Sequence, residues 1–158
     1  MTNAAAAAPA DTDSKMTLIG TAWRRFEVTT GRLDDAARAA FTNGQCHAFA
    51  LAMHEVTGWP TTALITIDFC LEGDPMCTGV EGDECPCRIG HIVVTRPDGA
   101  HVDITGAHAP GTVPSCENVP ALKMTETHWK AIHAGRVWRD ADVAAARTFV
   151  GPLLALLG

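Results

Sequence analysis

The stretch HIVVTRPDGAHVDITG, residues 91–106, places two β-branched runs on either side of a turn sequence. Its Pro-Asp-Gly centre is a strong turn signal, because proline presets one backbone angle and glycine adopts angles that other residues avoid. The flanking runs therefore predict an antiparallel β-hairpin. A further β-branched run, TTALITIDF at residues 61–69, predicts a buried strand. The middle of the chain is thus predicted to form a small antiparallel sheet.

Helical patterns surround this middle region. Residues 31–41 have helical composition, and residues 45–57 repeat apolar side chains at three- and four-residue spacing up to Gly58, a typical helix stop. Near the end, TETHWKAIHAG predicts a helix that stops at Gly135. The segment DADVAAARTFVGPLLALL predicts a last helix, bent or broken at residues 151–152. The fold class is therefore predicted to be α+β.

Length and composition limit the number of domains and the kinds of partner. The 158 residues, 47% hydrophobic and 19% charged, suit one folded domain with a single core. We predict a disordered alanine-rich tail over residues 1–17 and one α+β domain over residues 18–158. The formal net charge of −6 argues against nucleic-acid and anionic membrane partners, and no apolar run is long enough to span a bilayer. The start lacks signal-peptide features, so a cytoplasmic location is expected.

Cys46 stands where the loop NGQ becomes the second predicted helix. Unpaired backbone N–H groups and the positive end of the helix dipole stabilise a thiolate there, so the pKa of Cys46 should fall. Such a thiolate is a nucleophile if a histidine exchanges its proton and a third group orients that histidine. His91 opens one hairpin strand and Asp103 lies on the other. Because a tight hairpin brings such positions together, these three residues are candidates for one catalytic site.

These residues resemble the active site of the transglutaminase-like branch of the papain-like cysteine enzymes. In that family the nucleophile lies in a G-x-C-x-x-x-A motif at a helix start, matched here by Gly44, Cys46 and Ala50. A histidine opens a strand, as in HIVV, and an aspartate lies on the next strand, as in VDITG. The resemblance covers residues 43–106.

The resemblance implies both a fold and a reaction. The fold would be a papain-like α+β core, in which the helix carrying the cysteine packs on a small antiparallel sheet. The reaction would be acyl transfer through a thioester, as an amide hydrolase, deamidase or peptidase acting on a peptide or amide substrate. Cys46 would be the nucleophile, His91 the general base and acid, and Asp103 the group that orients the histidine.

Ordinary structural roles also fit the same residues. A cysteine in an apolar helix is often only core packing, and a strand-end histidine or a turn-supporting aspartate needs no catalytic role. His47 and His54 lie seven residues apart on one helix face, which suits either a metal pair or one residue at the site edge and one in solvent. Asn43 and Gln45 are interpreted either as amide donors to an oxyanion or as surface loop residues.

A second cluster of cysteines precedes His91, in FCLEGDPMCTGVEGDECPCRIGH. Between residues 61 and 87 there are six acidic side chains and no lysine or arginine. Four sulfurs in a short, glycine-rich acidic loop indicate a tetrahedral Zn²⁺ site that orders an insert over residues 70–88. The predicted metal ligands are Cys70, Cys77, Cys85 and Cys87. Disulfides and free thiols are the alternatives, and the insert is also a candidate flap over the active site.

Two functions of different classes follow from these patterns. The first is a cysteine-dependent acyl-transfer enzyme with a structural zinc. The second is a non-catalytic protein-binding module stabilised by zinc, in which Cys46 is only packing. The position of Cys46 at a helix start, together with the hairpin that carries His91 and Asp103, favours the enzyme.

Overall fold

The computed structural model describes residues 14–70, 77, 85–134 and 138–158. Within these residues it has four α-helices and seven strands, and the strands form two sheets. The strands are β1 (Lys15–Ile19), β2 (Arg25–Thr29), β3 (Thr61–Ile65), β4 (Ile89–Thr95), β5 (His101–Asp103), β6 (Gly106–His108) and β7 (Ala121–Lys123). The helices are α1 (Asp35–Thr42), α2 (Cys46–Thr57), α3 (Glu126–Ala134) and α4 (Val143–Leu157). The predicted α+β class is confirmed.

The larger sheet has the strand order β6-β5-β4-β3-β7, and every neighbouring pair is antiparallel. β4 and β5 form the predicted hairpin around the Pro-Asp-Gly turn, with Gly99 at φ +88°. All five residues of β3 are buried, as expected for an inner strand. β3 is shorter than predicted, because the register shifts after Leu64 and the amides of Thr66 and Ile67 donate to the carbonyl of Arg88 instead.

The core lies where the helices pack against this sheet. α2 contacts both α4 and β4, and its buried face includes Phe49 and Met53. Phe41 of α1 contacts Phe49, with ring centroids 5.6 Å apart, and Phe149 of α4 at 5.3 Å. Tilted and edge-on aromatic pairs of this kind stabilise a core beyond the area that they bury. The helix that carries Cys46 is therefore fixed from two sides.

The helix ends follow the expected capping chemistry, with two corrections. Gly58 ends α2 in the left-handed conformation, as predicted. α1 begins later than predicted, because the carboxylate of Asp34 accepts from the amide of Ala37 and starts the helix there. α4 continues through Pro152 to Leu157, so the alternative that it breaks at residues 151–152 is wrong. The predicted stop at Gly135 lies outside the described residues.

The front of the chain contains a hairpin that the helical patterns did not indicate. β1 and β2 pair antiparallel in register from Lys15 with Thr29 to Ile19 with Arg25. Residues 15–17 therefore belong to a strand, and not to the predicted tail, because they pair with β2. The signal was present in β2, where buried Phe26 and Val28 alternate with exposed neighbours. Among the described helices, none has the length and apolar character needed to cross a membrane.

Candidate active site and cysteine cluster

The β4–β5 hairpin brings His91 and Asp103 together. Val94 pairs with Val102, so continuing the register places Asp103 opposite residue 93, two positions from His91 on the same face. The distance from His91 Nε2 to Asp103 Oδ2 is 2.9 Å, and both side chains are buried. The hairpin therefore places these two residues within hydrogen-bonding distance, as the sequence predicted.

The other oxygen of Asp103 is held by its own turn. Thr105 donates its backbone N–H (2.8 Å) and its hydroxyl (2.5 Å) to Oδ1, and His108 Nε2 lies 3.4 Å away. Burial alone would raise the pKa of Asp103, but the hydrogen bonds from His91 and Thr105 outweigh it and lower the pKa to about 2. Asp103 is therefore a fixed carboxylate whose Oδ2 faces His91.

Cys46 is the first residue of α2, where no side chain caps the helix. Its thiol lies near the rings of His47 and His91. Burial alone would raise the pKa of this thiol, but the hydrogen bonds and charges of the two histidines lower it to about 6. His47 Nε2 donates to the carbonyl of Arg139 at 2.6 Å, which ties that ring to the backbone. The ring of His91 is the one that also contacts Asp103.

His91 lies between an acid and a thiol. Its Nε2 is taken by Asp103, which leaves Nδ1 for Cys46. Burial would lower the pKa of His91, but the hydrogen bonds and charges of Asp103 and Cys46 raise it to about 10. Both shifts favour a thiolate on Cys46 and an imidazolium on His91. This is the charged form that a cysteine nucleophile requires.

Gly44 allows the loop before Cys46 to pack closely against the connection between β1 and β2. Its φ is +122°, and a Cβ there would lie 2.3 Å from the amide nitrogen of Thr21 and 2.6 Å from the backbone of Gly20. The amide of Thr21 also donates to the carbonyl of Asn43 at 2.8 Å. Only glycine allows this approach, so the glycine of the motif has a packing reason here.

The side-chain amides beside Cys46 are structural. Gln45 is buried; its Nε2 donates to the carbonyls of Ile19 (2.9 Å) and Asp140 (3.1 Å), and its Oε1 accepts from the amide of Asp142 (3.1 Å). The interpretation of Gln45 as a surface loop residue is therefore wrong, and its amide is not free to bind an oxyanion. Asn43 donates to the carbonyl at the end of α1.

The two histidines of α2 are engaged separately. The ring of His47 is buried, donates to the carbonyl of Arg139 and contacts the ring of Trp138 edge-on at 5.2 Å. The ring of His54 is exposed, and its Nδ1 lies 2.8 Å from the carbonyl of Trp59. This arrangement agrees with one residue at the site edge and one in solvent, and gives no support to a metal pair.

Two cavities are lined by the candidate site residues. One, of about 230 Å³, contains Cys46 in its wall and is completed by Trp138, Arg139 and small residues. The other, of about 530 Å³, is lined by His91, Asp103 and residues of the loop 114–116. The sequence did not indicate Trp138 or Arg139, because nothing in their spacing connects them with a cysteine more than ninety residues earlier.

The four predicted metal ligands lie together as one cluster. Their sulfur atoms are all within 4.8 Å of one another, with separations of 3.1 Å to 3.9 Å among five of the pairs. These separations are too long for a disulfide bond of about 2.05 Å. Four Zn–S bonds of about 2.3 Å in a tetrahedron would give S···S separations of roughly 3.8 Å. The cluster can therefore hold a metal ion.

The cluster is joined directly to the hairpin that carries His91 and Asp103. Cys85 and Cys87 are buried; Cys85 precedes the 3₁₀ turn Pro86–Arg88 and Cys87 lies within it, and the turn leads straight into β4. Arg88 Nε donates to the carbonyl of Ile67 at 2.8 Å and so joins the two ends of the insert. The rest of the insert, residues 71–76 and 78–84, lies outside the described residues, as does the predicted flap.

Comparison with known proteins gives this chain no family. No protein-family model matches the chain, and no curated protein or solved structure matches it. The features of the described residues that bear on function are the arrangement of Cys46, His91 and Asp103 and the cysteine cluster.

Proposed function

We propose that this protein is a cysteine-dependent acyl-transfer enzyme that cleaves an amide bond through a thioester on Cys46. The observation that carries the proposal is the position of His91 between Cys46, whose thiol interacts with its ring, and Asp103, whose carboxylate lies 2.9 Å from its Nε2. Cys46 lies in a cavity wall, so the sulfur has a place beside it for a substrate. Three residues in this order are what nucleophilic catalysis by cysteine needs.

The first half of the reaction forms the thioester. The Cys46 thiolate attacks the carbonyl carbon, a C–S bond forms, and the π electrons move to the oxygen. The backbone N–H groups in the first turn of α2 are the proposed donors for this oxyanion, since the amide of Gln45 is occupied. The His91 imidazolium gives its proton to the amide nitrogen as the C–N bond breaks. The amine or ammonia leaves, and His91 becomes neutral.

The second half restores the enzyme. Neutral His91 takes a proton from water, or from an acceptor amine, as that molecule attacks the thioester carbonyl. Collapse of the second tetrahedral intermediate breaks the C–S bond and returns the thiolate of Cys46 and the imidazolium of His91. Asp103 transfers no proton; it keeps the ring oriented and stabilises its charged form.

A papain-like, transglutaminase-like core is the proposed family context. The support is positional: the cysteine is the first residue of a helix, the histidine lies on the strand β4 that this helix packs against, and the aspartate lies on the neighbouring strand β5. The expected substrate is a peptide or amide. The small volume of the Cys46 cavity suits a compact group entering from a larger molecule or a small free amide.

We further propose that the cysteine cluster holds a structural Zn²⁺, with Cys70, Cys77, Cys85 and Cys87 as ligands. The support is the near-tetrahedral spacing of the four sulfurs and the choice of four soft ligands. The metal would stabilise the folded structure of the insert and of the turn before β4. Reduced cysteine ligands also fit a reducing compartment, which agrees with the expected cytoplasmic location.

The test of the catalytic proposal is release of ammonia or amine from a panel of peptide and glutamine amides. We expect Cys46→Ala to abolish turnover and His91→Ala to lower it nearly as much, by at least about 10³-fold. Asp103→Asn should cost less, because it changes only the orientation and charge stabilisation of the ring. His54→Ala is the matched control for His91→Ala, because His54 is an exposed histidine on the helix that carries Cys46 and its Nδ1 contacts the carbonyl of Trp59.

Each variant should keep a thermal midpoint near that of the unchanged protein, so that loss of turnover is not loss of fold. Full turnover by Cys46→Ala would refute the enzyme. The zinc-stabilised binding module would then be the better account, since the cysteine cluster does not depend on Cys46.

A further inference from the structure

The cavity beside Cys46 has an unusual wall. Trp138 and Arg139, from the segment that leads into α4, line it together with Cys46. Apart from Ile89, the other wall residues are small, among them Ala22, Gly44 and Gly90, and the cavity volume is about 230 Å³. This is below the roughly 300–1,000 Å³ of sites for drug-sized ligands. The space therefore fits a compact chemical group close to the reacting sulfur.

The two large residues of this wall bring hydrogen-bond donors that nothing nearby uses. Trp138 Nε1 and Arg139 Nε are both buried, and neither has a hydrogen-bond partner among the described residues. Both groups are N–H donors that cannot accept. Buried polar groups are normally paired, and exceptions often mark a functional position. A ligand that supplies acceptor atoms would satisfy both donors.

The wall also carries a positive charge without a matching acid. No aspartate or glutamate lines the cavity of Cys46, and no ion pair to Arg139 is present in the described part of the chain. The guanidinium lies over the ring of Trp23, with its carbon 3.7 Å from the ring centroid, which holds the group in place. Trp138 and Arg139 also line a neighbouring cavity, together with Asp140 and Asp142, and the carboxylate of Asp142 is engaged in capping α4.

We propose that the substrate of this site carries a carboxylate close to the acyl group that Cys46 attacks, and that Arg139 and Trp138 bind it. The inference rests on the proposed function of Cys46 and narrows its substrate class to amides of carboxylate-bearing acyl groups. A planar guanidinium matches the two oxygens of a carboxylate, and the indole N–H adds a third donor. The small volume favours a carboxylate over a bulkier anion.

The test compares two alkylating reagents of nearly equal size, iodoacetate and iodoacetamide. In both reactions the sulfur of Cys46 attacks the CH₂ carbon, an S–C bond forms, the C–I bond breaks and iodide leaves. Only the iodoacetate carries a carboxylate next to the reacting carbon. The ratio of the two rate constants at Cys46, measured by peptide mass spectrometry at pH 7, therefore reports recognition of the anion separately from the reactivity of the thiol.

We expect Arg139→Gln to lower this ratio by about 10-fold or more, which is the effect of one charge-assisted hydrogen bond. Trp138→Phe should lower it by a smaller factor, and Arg139→Lys should restore part of the loss. His47 donates to the backbone carbonyl of residue 139, so these side-chain changes leave that bond in place. Arg96→Gln is the matched control, because it removes the same charge from the β4–β5 turn.

The outcomes separate the two proposals. If Cys46 reacts rapidly with iodoacetamide and the ratio is the same in Arg139→Gln, the carboxylate site is refuted and the nucleophile stands. If Arg96→Gln lowers the ratio as much as Arg139→Gln does, the effect is general electrostatics and the carboxylate site is again refuted. If neither reagent labels Cys46 faster than Cys116, the proposed function fails, and this inference fails with it.

Discussion

Cys46 lies against histidine rings, whereas each sulfur of the cysteine cluster lies against other sulfurs. The pKa of Cys46 is lowered to about 6 despite burial, because of its interactions with His47 and His91. The pKa of Cys70 is raised, chiefly by its hydrogen bonds to Cys77 and Cys87. The comparison shows that a thiolate needs a cation. Histidine supplies it at Cys46, and a metal ion is proposed to supply it in the cluster.

Cys116 is a third case in the same comparison, a cysteine near the site whose pKa is raised. It is buried and lines the cavity that contains His91 and Asp103. Burial raises its pKa, and the negative charges of Glu117, Cys46 and Asp103 add to the effect. A position near the site therefore does not by itself lower the pKa of a cysteine. At Cys46 the lower pKa comes from the interactions with histidine.

The largest expected effect comes from removing the cation beside Cys46. In His91→Ala the burial of the thiol remains while the main proton partner is lost, so the pKa of Cys46 should rise toward its ordinary value. The alkylation rate of Cys46 at pH 7 should then fall by about 10- to 100-fold, in proportion to the thiolate fraction. His54→Ala, an exposed histidine on the same helix, is the control and should leave the rate unchanged.

An intermediate effect is expected from removing the metal of the cluster. Protein purified under reducing conditions should contain about one equivalent of zinc, and Cys85→Ser should reduce that amount by most of its value. Amide hydrogen exchange at residues 85–90 should become at least about 10-fold faster, while α2 should keep its protection. Less than about a tenth of an equivalent of zinc, with an intact mass lighter by about 4 Da, would instead establish two disulfides.

A smaller effect is expected from Thr105, which donates to the Asp103 oxygen that does not face His91. Thr105→Val removes the hydroxyl that donates to Asp103 Oδ1 but keeps the backbone donor. The orientation of Asp103 should loosen, and turnover should fall by roughly 3- to 10-fold, the value of one hydrogen bond. Thr112→Val, which removes a hydroxyl bonded to a loop carbonyl, is the matched control. Equal losses in the two variants would contradict a role for Thr105 in positioning Asp103.

Much of the site was predictable because its signals are local. The start of α2 at Cys46, its stop at Gly58 and the hairpin that joins His91 to Asp103 all follow from short-range periodicity and turn residues. The C-x₆-C-x₇-C-x-C spacing of the cysteines did not by itself distinguish a metal site from disulfides; the clustered sulfur positions favour the metal.

The remaining features depend on contacts between distant parts of the chain. Gln45 joins residues 19, 140 and 142, and no local pattern could indicate that it would be buried. The same applies to Arg139, which reaches the cavity of Cys46 through the segment before α4. Only the β1–β2 hairpin could have been found from the sequence, because its alternation of buried and exposed residues is local.

The pH dependence of Cys46 alkylation tests the central claim most directly. The rate with iodoacetamide should be followed from about pH 4 to pH 10, with Cys116 measured in the same digests. The thiolate forms as the pH rises through the pKa, so the rate at Cys46 should rise through a midpoint of about 6. The rate at Cys116 should rise only above about pH 9, the ordinary pKa of a cysteine thiol, because burial raises the pKa of Cys116. A Cys46 midpoint as high as that of Cys116, or equal rates for the two at neutral pH, would contradict the account.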